Sequence, residues 1–333
     1  MPDSTPLLMQ HLNGMFAMQV LAVGDRSGAL AALLERPGDA ADIAARAGLD
    51  VRNVAQWLRC MHAAGYAQHE ADVFRIDPES ASVFDEGYPI DARGILDFAF
   101  ANAGVGVRRI PDAMRSGAGV EPEAFAELGA AASRINSRLY AAALVDEWIA
   151  RDPALVARLR AGADVADIAC GDGDAAARLA RAFPRSRVIG LDPGSRPRTD
   201  VPNLVLLAET AEHLAAHGSF ALVTCLDALH HLGDPVEAVR QTAAALDEDG
   251  VLLIAETSMT GDIDRDLAAD PSALVTHAAG LLYCMQDNLA AGGDGATPSL
   301  GLDWVDAALG SAGLDRVDAF GSDTGFRVFL ARH

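Results

Sequence analysis

Asp167-Ile-Ala-Cys-Gly-Asp-Gly-Asp174 is the stretch on which the reading of the fold turns. Residues 165–169 are a short apolar run, and Ala175 to Phe183 is an Ala-rich segment with Leu179 and Phe183 at helical spacing. A strand, a tight turn and a helix is the simplest reading of that order. Gly171 and Gly173 let the backbone turn sharply and come close to a ligand in the crevice beyond the strand ends. The alternation continues outward, with strand-like runs at 188–191, 205–207, 220–225, 251–255, 316–320 and 327–331. Helical segments separate the earlier runs, so the sequence predicts an α/β fold with a doubly wound, Rossmann-like, seven-stranded sheet.

Two further features narrow the ligand. Asp192 ends the second strand 21 residues after Gly171, where a carboxylate can accept both ribose hydroxyls of an adenosine. Gly171-Asp-Gly-Asp-Ala-Ala176 also satisfies the dinucleotide fingerprint in its permissive form. Charge separates the two possibilities. Asp167, Asp172 and Asp174 crowd the turn where a pyrophosphate would need open N–H donors, and a diphosphate would be repelled there. A cationic adenosyl donor such as S-adenosyl-L-methionine suits the same acids, with Asp167 placed to help anchor its amino-acid end.

The chain has 333 residues, half of them apolar, which suits two domains with packed cores. Its net charge is −21, and all 26 basic residues are Arg. Such an acidic surface disfavours nucleic acid and anionic lipid as partners. Cys60, Cys170, Cys225 and Cys284 form no CxxC pair, which argues against a zinc knuckle or a disulfide framework and suits a reducing cytoplasm. Met1 to Phe16 lacks a signal-peptide pattern, and no apolar run is long enough to span a bilayer.

Before the sheet, residues 7–35 read as two helices broken by Gly24 and Gly28 and stopped by Pro37 and Gly38. Asp39 caps a helix through Ala47, and Gly48 turns the chain. A second helix from Val51 to Ala64 places Val54, Trp57, Leu58 and Met61 on one face, and residues 66–76 read as two short strands. Helix, turn, helix and hairpin suggest a winged helix. Between Asp39 and Pro78, however, four Arg face six acids, a net of −2, so packing and dimerisation suit the element better than DNA. Residues 91–162 read as Ala-rich helices broken at Gly104, Gly106, Gly117 and Gly119.

With Asp167–Asp174 come Gly190-Leu-Asp192 and Phe220-Ala-Leu-Val-Thr-Cys-Leu-Asp-Ala-Leu-His-His-Leu-Gly-Asp-Pro235. On these residues the chain resembles class I S-adenosylmethionine-dependent methyltransferases. Gly24-Asp25, residues 44–49, Arg52, Trp57-Leu58, residues 63–66 and 78–84 are similar to the N-terminal region of the bacterial small-molecule type with a winged-helix-like domain. The resemblance implies a winged-helix-like dimerisation domain over residues 1–90, a helical linker and roof over 91–162, and a cofactor-binding domain over 163–333. It implies a cytoplasmic homodimer that binds S-adenosyl-L-methionine and methylates a small molecule on oxygen or carbon in specialised metabolism. Asp167, Ala169, Gly171, Gly173, Asp192 and Pro193 would line the cofactor, with Thr210, Ala211 and Glu212 flanking the adenine and Leu226 and Asp227 beside the methionine part. Ala169 stands where the family often has Gly, which implies a tighter loop.

Methyl transfer to a hydroxyl needs its proton removed, and His230, after the fourth strand, is the candidate base or else a strand cap. His231 and Glu256, at the end of the fifth strand, are the other candidate catalytic groups. Together with His277 they raise an alternative, a metal that assists C-methylation of a 2-oxo acid. A ligand-responsive winged-helix regulator that keeps a nucleotide-binding fold, and an NAD-linked reductase, are the alternatives of other classes. Leu281-Leu-Tyr-Cys-Met285 reads as packing or as a cover for the acceptor, and Arg108 and Arg109 as a solvated face or partners of an acceptor carboxylate.

Overall fold

The computed structural model describes residues 6–85, 87–88, 91–196, 200–270 and 272–333; the first five residues of the Met1 to Phe16 stretch lie outside them. Two units divide the chain, Met1–Asp97 and Phe98–His333, so residues 98–162 cluster with the sheet. In the first unit, α1 (Leu7–Ser27) and α2 (Ala29–Glu35) meet at Gly28, whose φ of 84° breaks the helix. Gly24, expected as a second break, stays helical because the Trp57 ring lies against it. A Cβ there would come within 2.3 Å of that ring, so the missing side chain serves packing rather than a turn. Asp39 caps α3 (Ala40–Ala47) by accepting from the Asp42 N–H, and Asp50 caps α4 (Val51–Ala63) by accepting from Arg52 and Asn53. The expected face of α4, Val54, Trp57, Leu58 and Met61, is buried. β1 (Gln68–Glu70) and β2 (Val73–Arg75) pair antiparallel, and α5 (Pro78–Ser82) follows.

α6 (Ala92–Ser116) runs without interruption through Gly104, Gly106 and Pro111, so the breaks expected at the first two glycines do not occur. A helix-interior Gly costs only about 1 kcal/mol, and at Gly106 Leu282 fills the space that a Cβ would approach to 3.3 Å. The helix stops at Gly117, with φ of 74°.

The second unit continues with α7 (Ala126–Ala143), a π-helical turn at Leu144–Trp148 and α8 (Pro153–Ala161). Then come β3 (Val165–Ile168), α9 (Asp174–Ala182), β4 (Val188–Leu191), β5 (Leu204–Leu207), β6 (Phe220–Leu226), α10 (Pro235–Ala245) and β7 (Leu246–Thr257). α11 (Ile263–Ala269), α12 (Ala273–Ala279), α13 (Met285–Ala290), α14 (Asp303–Ser311), β8 (Asp315–Gly321) and β9 (Phe326–Arg332) complete it. One seven-stranded sheet results, in the order β5-β4-β3-β6-β7-β9-β8, with β9 antiparallel to both of its neighbours and the other adjacent pairs parallel. All seven expected strands are present, within a few residues of their expected limits except β7, which starts five residues early at Leu246.

Alternate residues of the central strands feed two cores. Val165, Leu222, Leu253 and Val328 pack with Leu155, Leu159 and Leu179, while Ile168, Val223, Ile254 and Phe329 pack with Val239, Val305 and Leu309. Burial on both faces is why these strands read as continuous apolar runs. The chain leaves β3 for β4 and β5 on one side, then crosses back to β6 and β7 on the other. That reversal opens a crevice beyond the C-terminal ends of β3 and β6, where ligands of open α/β sheets bind.

Candidate active site

The loop from β3 to α9 is built from left-handed residues: Ala169 has φ of 51°, Gly171 56° and Gly173 79°. For Ala169 that conformation costs about 1 kcal/mol or more, strain of a kind that collects at functional loops. Gly173 and Gly190 serve close approach, since a Cβ on either would come within 2.6 Å of the Leu206 side chain. The loop thus lies directly on β4 and β5.

Acidic side chains take up two N–H groups of this loop, those of Gly171 and Asp174, and backbone carbonyls take those of Cys170 and Gly173. Asp192 accepts from Gly171 at 3.1 Å and from Gly194 at 2.7 Å, tying the loop after β3 to the loop after β4. Asp172 accepts from the Asp174 N–H at 3.1 Å, and Asp174 pairs with Arg178 at 2.7 Å. A pyrophosphate would meet carboxylates where it needs donors. Asp167 is 1% exposed; its Oδ1 accepts from the Thr224 hydroxyl at 2.6 Å, and its Oδ2 has no hydrogen-bond partner among the described residues. Burial pushes this carboxyl up to about 7, helped by Asp192 and Asp174 and opposed by hydrogen bonds from Thr224 and the Ala176 backbone. An orphaned acceptor buried beside the loop matches an ammonium, the group that would restore its charge.

The other expected residues follow β4 and β5 or lie at the end of β6. The Asp192 N–H donates to the Leu207 carbonyl at 3.1 Å, which sets exposed Pro193 and the segment Thr210, Ala211 and Glu212 at the same end of the sheet. Thr210 Oγ1 bonds to His213 Nδ1 at 3.1 Å, and Ala211 opens a 3₁₀ turn. Leu226 closes β6, and its carbonyl accepts from the Tyr140 hydroxyl at 3.1 Å. Asp227, with φ of 52°, accepts from Asn136 at 3.0 Å and from Thr257 at 3.0 Å, so α7 and β7 hold it in place.

Beyond Asp227 lies a buried titratable cluster. His230 is 1% exposed, and its Nδ1 lies 2.5 Å from Glu256 Oε2; the other oxygen of Glu256 accepts from the Leu229 N–H at 2.9 Å. His231 Nδ1 lies 2.8 Å from Asp287 Oδ2, and the two imidazole centroids are 4.4 Å apart. Asn288 locks the segment: its amide donates to the carbonyls of His230 and Leu232 and accepts from the N–H groups of Gly295 and Ala296. Cys284 completes the cluster, at the end of a π-helical turn over Gly280–Cys284. Such turns recur at functional sites because the extra residue redirects a side chain. Burial works against a proton on His230, but Glu256 and Cys284 together outweigh it and hold the imidazole well above its ordinary range. Burial raises the Cys284 thiol while the two imidazoles bring it down, to about 7.

His277 is not in this cluster. Its Nε2 has no partner among the described residues, and the carboxylate its charge reaches is Asp266, so the expected grouping of His277 with His230 and Glu256 does not form. α12, which carries His277, ends before the π-helical turn that brings Cys284 inward. Arg108 is exposed, and Arg109 pairs with Glu121 at 3.0 Å on the surface, so neither is aimed at an acceptor. Sequence reasoning missed Asn136, Thr224, Asp287 and Asn288 as site residues, and it read Cys284 as packing or as part of a cover for the acceptor. Only the chain reversal and the π-helical turn bring these to the site.

Residues 138–284 match a family model described as a methyltransferase domain. The ubiquinone biosynthesis O-methyltransferase of Albidiferax ferrireducens is 35% identical over 101 residues, 27% of this chain and 39% of that protein. The chain therefore matches about two-fifths of the length of that curated relative. An O-methyltransferase family protein from Burkholderia thailandensis superimposes with a TM-score of 0.69 at 19% identity, over 98% of this chain and 97% of that one. CalO1, a methyltransferase of calicheamicin biosynthesis solved with S-adenosylhomocysteine bound, superimposes with a TM-score of 0.63 at 17% identity, over 98% and 96%.

Proposed function

We propose that this chain, a class I methyltransferase by its domain and its sheet, transfers a methyl group from S-adenosyl-L-methionine to a small-molecule acceptor. The observation that carries the reading is the buried Oδ2 of Asp167, without a hydrogen-bond partner among the described residues, beside a loop in which carboxylates accept from the Gly171 and Asp174 N–H groups, a site that suits an ammonium and repels a diphosphate. When bound, that cofactor supplies an electrophilic methyl group next to a positive sulfonium. Asp167 would hold the amino-acid end, Asp192 with Pro193 the ribose, and Thr210, Ala211 and Glu212 the adenine. Leu226 and Asp227, fixed by Tyr140, Asn136 and Thr257, would line the remainder with Ala169, Gly171 and Gly173. In its neutral form, reached only at raised pH, His230 is the group positioned to take a proton from an acceptor hydroxyl; Glu256 fixes its Nδ1 edge and stabilises the imidazolium that results. Isothermal titration tests the reading: S-adenosylmethionine and S-adenosylhomocysteine bind and NAD does not, and binding of neither adenosyl compound would sink it. O-methylation within natural-product biosynthesis is the finer proposal, in keeping with CalO1.

Asp167 makes this binding pH-dependent. Its folded pKa of about 7 lies above the ordinary 3.8, so its contribution to stability is complete below that value and is lost as pH rises through about 7. A cation beside it draws the proton off, so cofactor affinity is expected to rise between about pH 6 and 8. Titrations in buffers of differing ionisation enthalpy should show proton release on binding, absent in Asp167→Asn. Equal release from both proteins would refute the assignment.

A homodimer through the N-terminal unit is the second part of the proposal. In the first four turns of α1, Leu7, Leu8, Met9, Met15 and Phe16 are 43–78% exposed, and only Leu21, Ala22 and Gly24 of the helix are buried. A helix that apolar needs a cover, and a second copy of the same helix supplies one. Light scattering should find a dimer for the parent and a monomer for Leu8→Asp/Phe16→Asp; a monomeric parent would remove the proposal.

A further inference from the structure

We propose that His230, His231 and Cys284 form a three-ligand site for a divalent transition-metal ion of the zinc type, beside the methyl-transfer crevice. One ligand atom from each of the three lies within 4.8 Å of the others. Glu256 engages Nδ1 of His230 and Asp287 engages Nδ1 of His231, so the Nε2 edges are the ones left to face an ion. A carboxylate behind each imidazole is the usual support of a metal-binding His, since it sets the tautomer, orients the ring and makes the outer nitrogen a better donor. Two imidazoles and a thiolate select zinc, or cobalt in its place, over magnesium or calcium.

A neighbouring set, Asp227, His230 and Glu256, is equally compact, but its oxygens are committed. Glu256 bonds to His230 and Leu229, and Asp227 to Asn136 and Thr257, so an ion there would displace four hydrogen bonds. The Cys284 set displaces none of these, only the hydrogen bonds between Cys284 and the two imidazoles. Three protein ligands leave a fourth position open, the arrangement of catalytic rather than structural zinc. The ion's use rests on the methyl-transfer reading: it would bind the acceptor's oxygen and acidify its hydroxyl so that the proton passes to water, since both nitrogens of His230 are then engaged, one by the ion and one by Glu256.

The test uses full-length protein without a His tag, stripped with a chelator and titrated with cobalt(II). One cobalt per chain is expected, with a thiolate-to-cobalt charge-transfer band in the near ultraviolet. The band is lost in Cys284→Ala, affinity falls at least tenfold in His231→Ala, and it falls about 10–100-fold in Asp287→Asn. Far-ultraviolet circular dichroism and S-adenosylhomocysteine binding check that each variant folds. His231→Ala serves where Cys284→Ala does not fold, because His231 is only partly buried. No saturable cobalt, or an unchanged band in Cys284→Ala, overturns the site. A parent protein that binds S-adenosylhomocysteine normally yet takes up no saturable cobalt would sink this inference alone, whereas cobalt uptake without adenosyl binding would sink the methyl-transfer reading alone.

Discussion

His230→Ala is expected to lower kcat by about 10²–10⁴-fold while the dissociation constant of S-adenosylhomocysteine stays within about twofold. The loss follows whether His230 takes the acceptor's proton directly or holds an ion that acidifies the hydroxyl, because either role uses the imidazole edge that Glu256 orients. Cofactor affinity is spared because the adenosyl site is assigned to Asp167, Asp192 and the loop between β3 and α9. Removing the imidazole also strands a buried carboxylate, which can cost about 3–5 kcal/mol. His230→Asn, which keeps a donor toward Glu256, therefore accompanies it, and it should fold like the parent and be nearly as inactive. Steady-state kinetics alongside thermal unfolding decides the matter, and turnover within a few-fold of the parent for either folded variant would end the assignment.

Asp192→Ala is expected to weaken S-adenosylmethionine and S-adenosylhomocysteine alike, by about 10–100-fold, since hydrogen bonds to a charged group are worth about 1.5–3 kcal/mol each. The effect has two sources. Asp192 would accept from the ribose, and it also accepts from Gly171 and Gly194, so without it the two loops that frame the crevice lose their tie. Asp192→Asn separates them: one amide oxygen can still accept, so the loops are partly held while the charge is gone. Calorimetry on both variants checks this, and an affinity unchanged in Asp192→Ala would place the ribose elsewhere.

Both predictions rest on residues that were legible before any coordinates. Asp167, Gly171, Gly173 and Asp192 declare themselves because a strand, a glycine turn and a helix follow one another directly in the chain. The sheet was legible for the same reason, since strands buried on both faces read as apolar runs and helices recur between them. Errors came where packing overrode a local signal. Gly24 and Gly106 looked like helix breaks, but Trp57 and Leu282 occupy the space beside them, and the helices run on.

By itself, then, the sequence determined the doubly wound sheet, the acid-flanked glycine turn and the carboxylate that closes the second strand. Each depends on residues within about one turn or one strand-helix step of each other, and neighbours in sequence are bound to be neighbours in space. The sequence also grouped Glu256 with His230, because the ends of neighbouring strands converge on one crevice. Tertiary structure alone decided the other partners: Asp287 is 56 residues from His231 and Asn136 is 91 from Asp227, and no periodicity spans such separations. Cys284 replaced His277 at the cluster because a single π-helical turn redirects the chain, a choice made by packing energy rather than by any local preference.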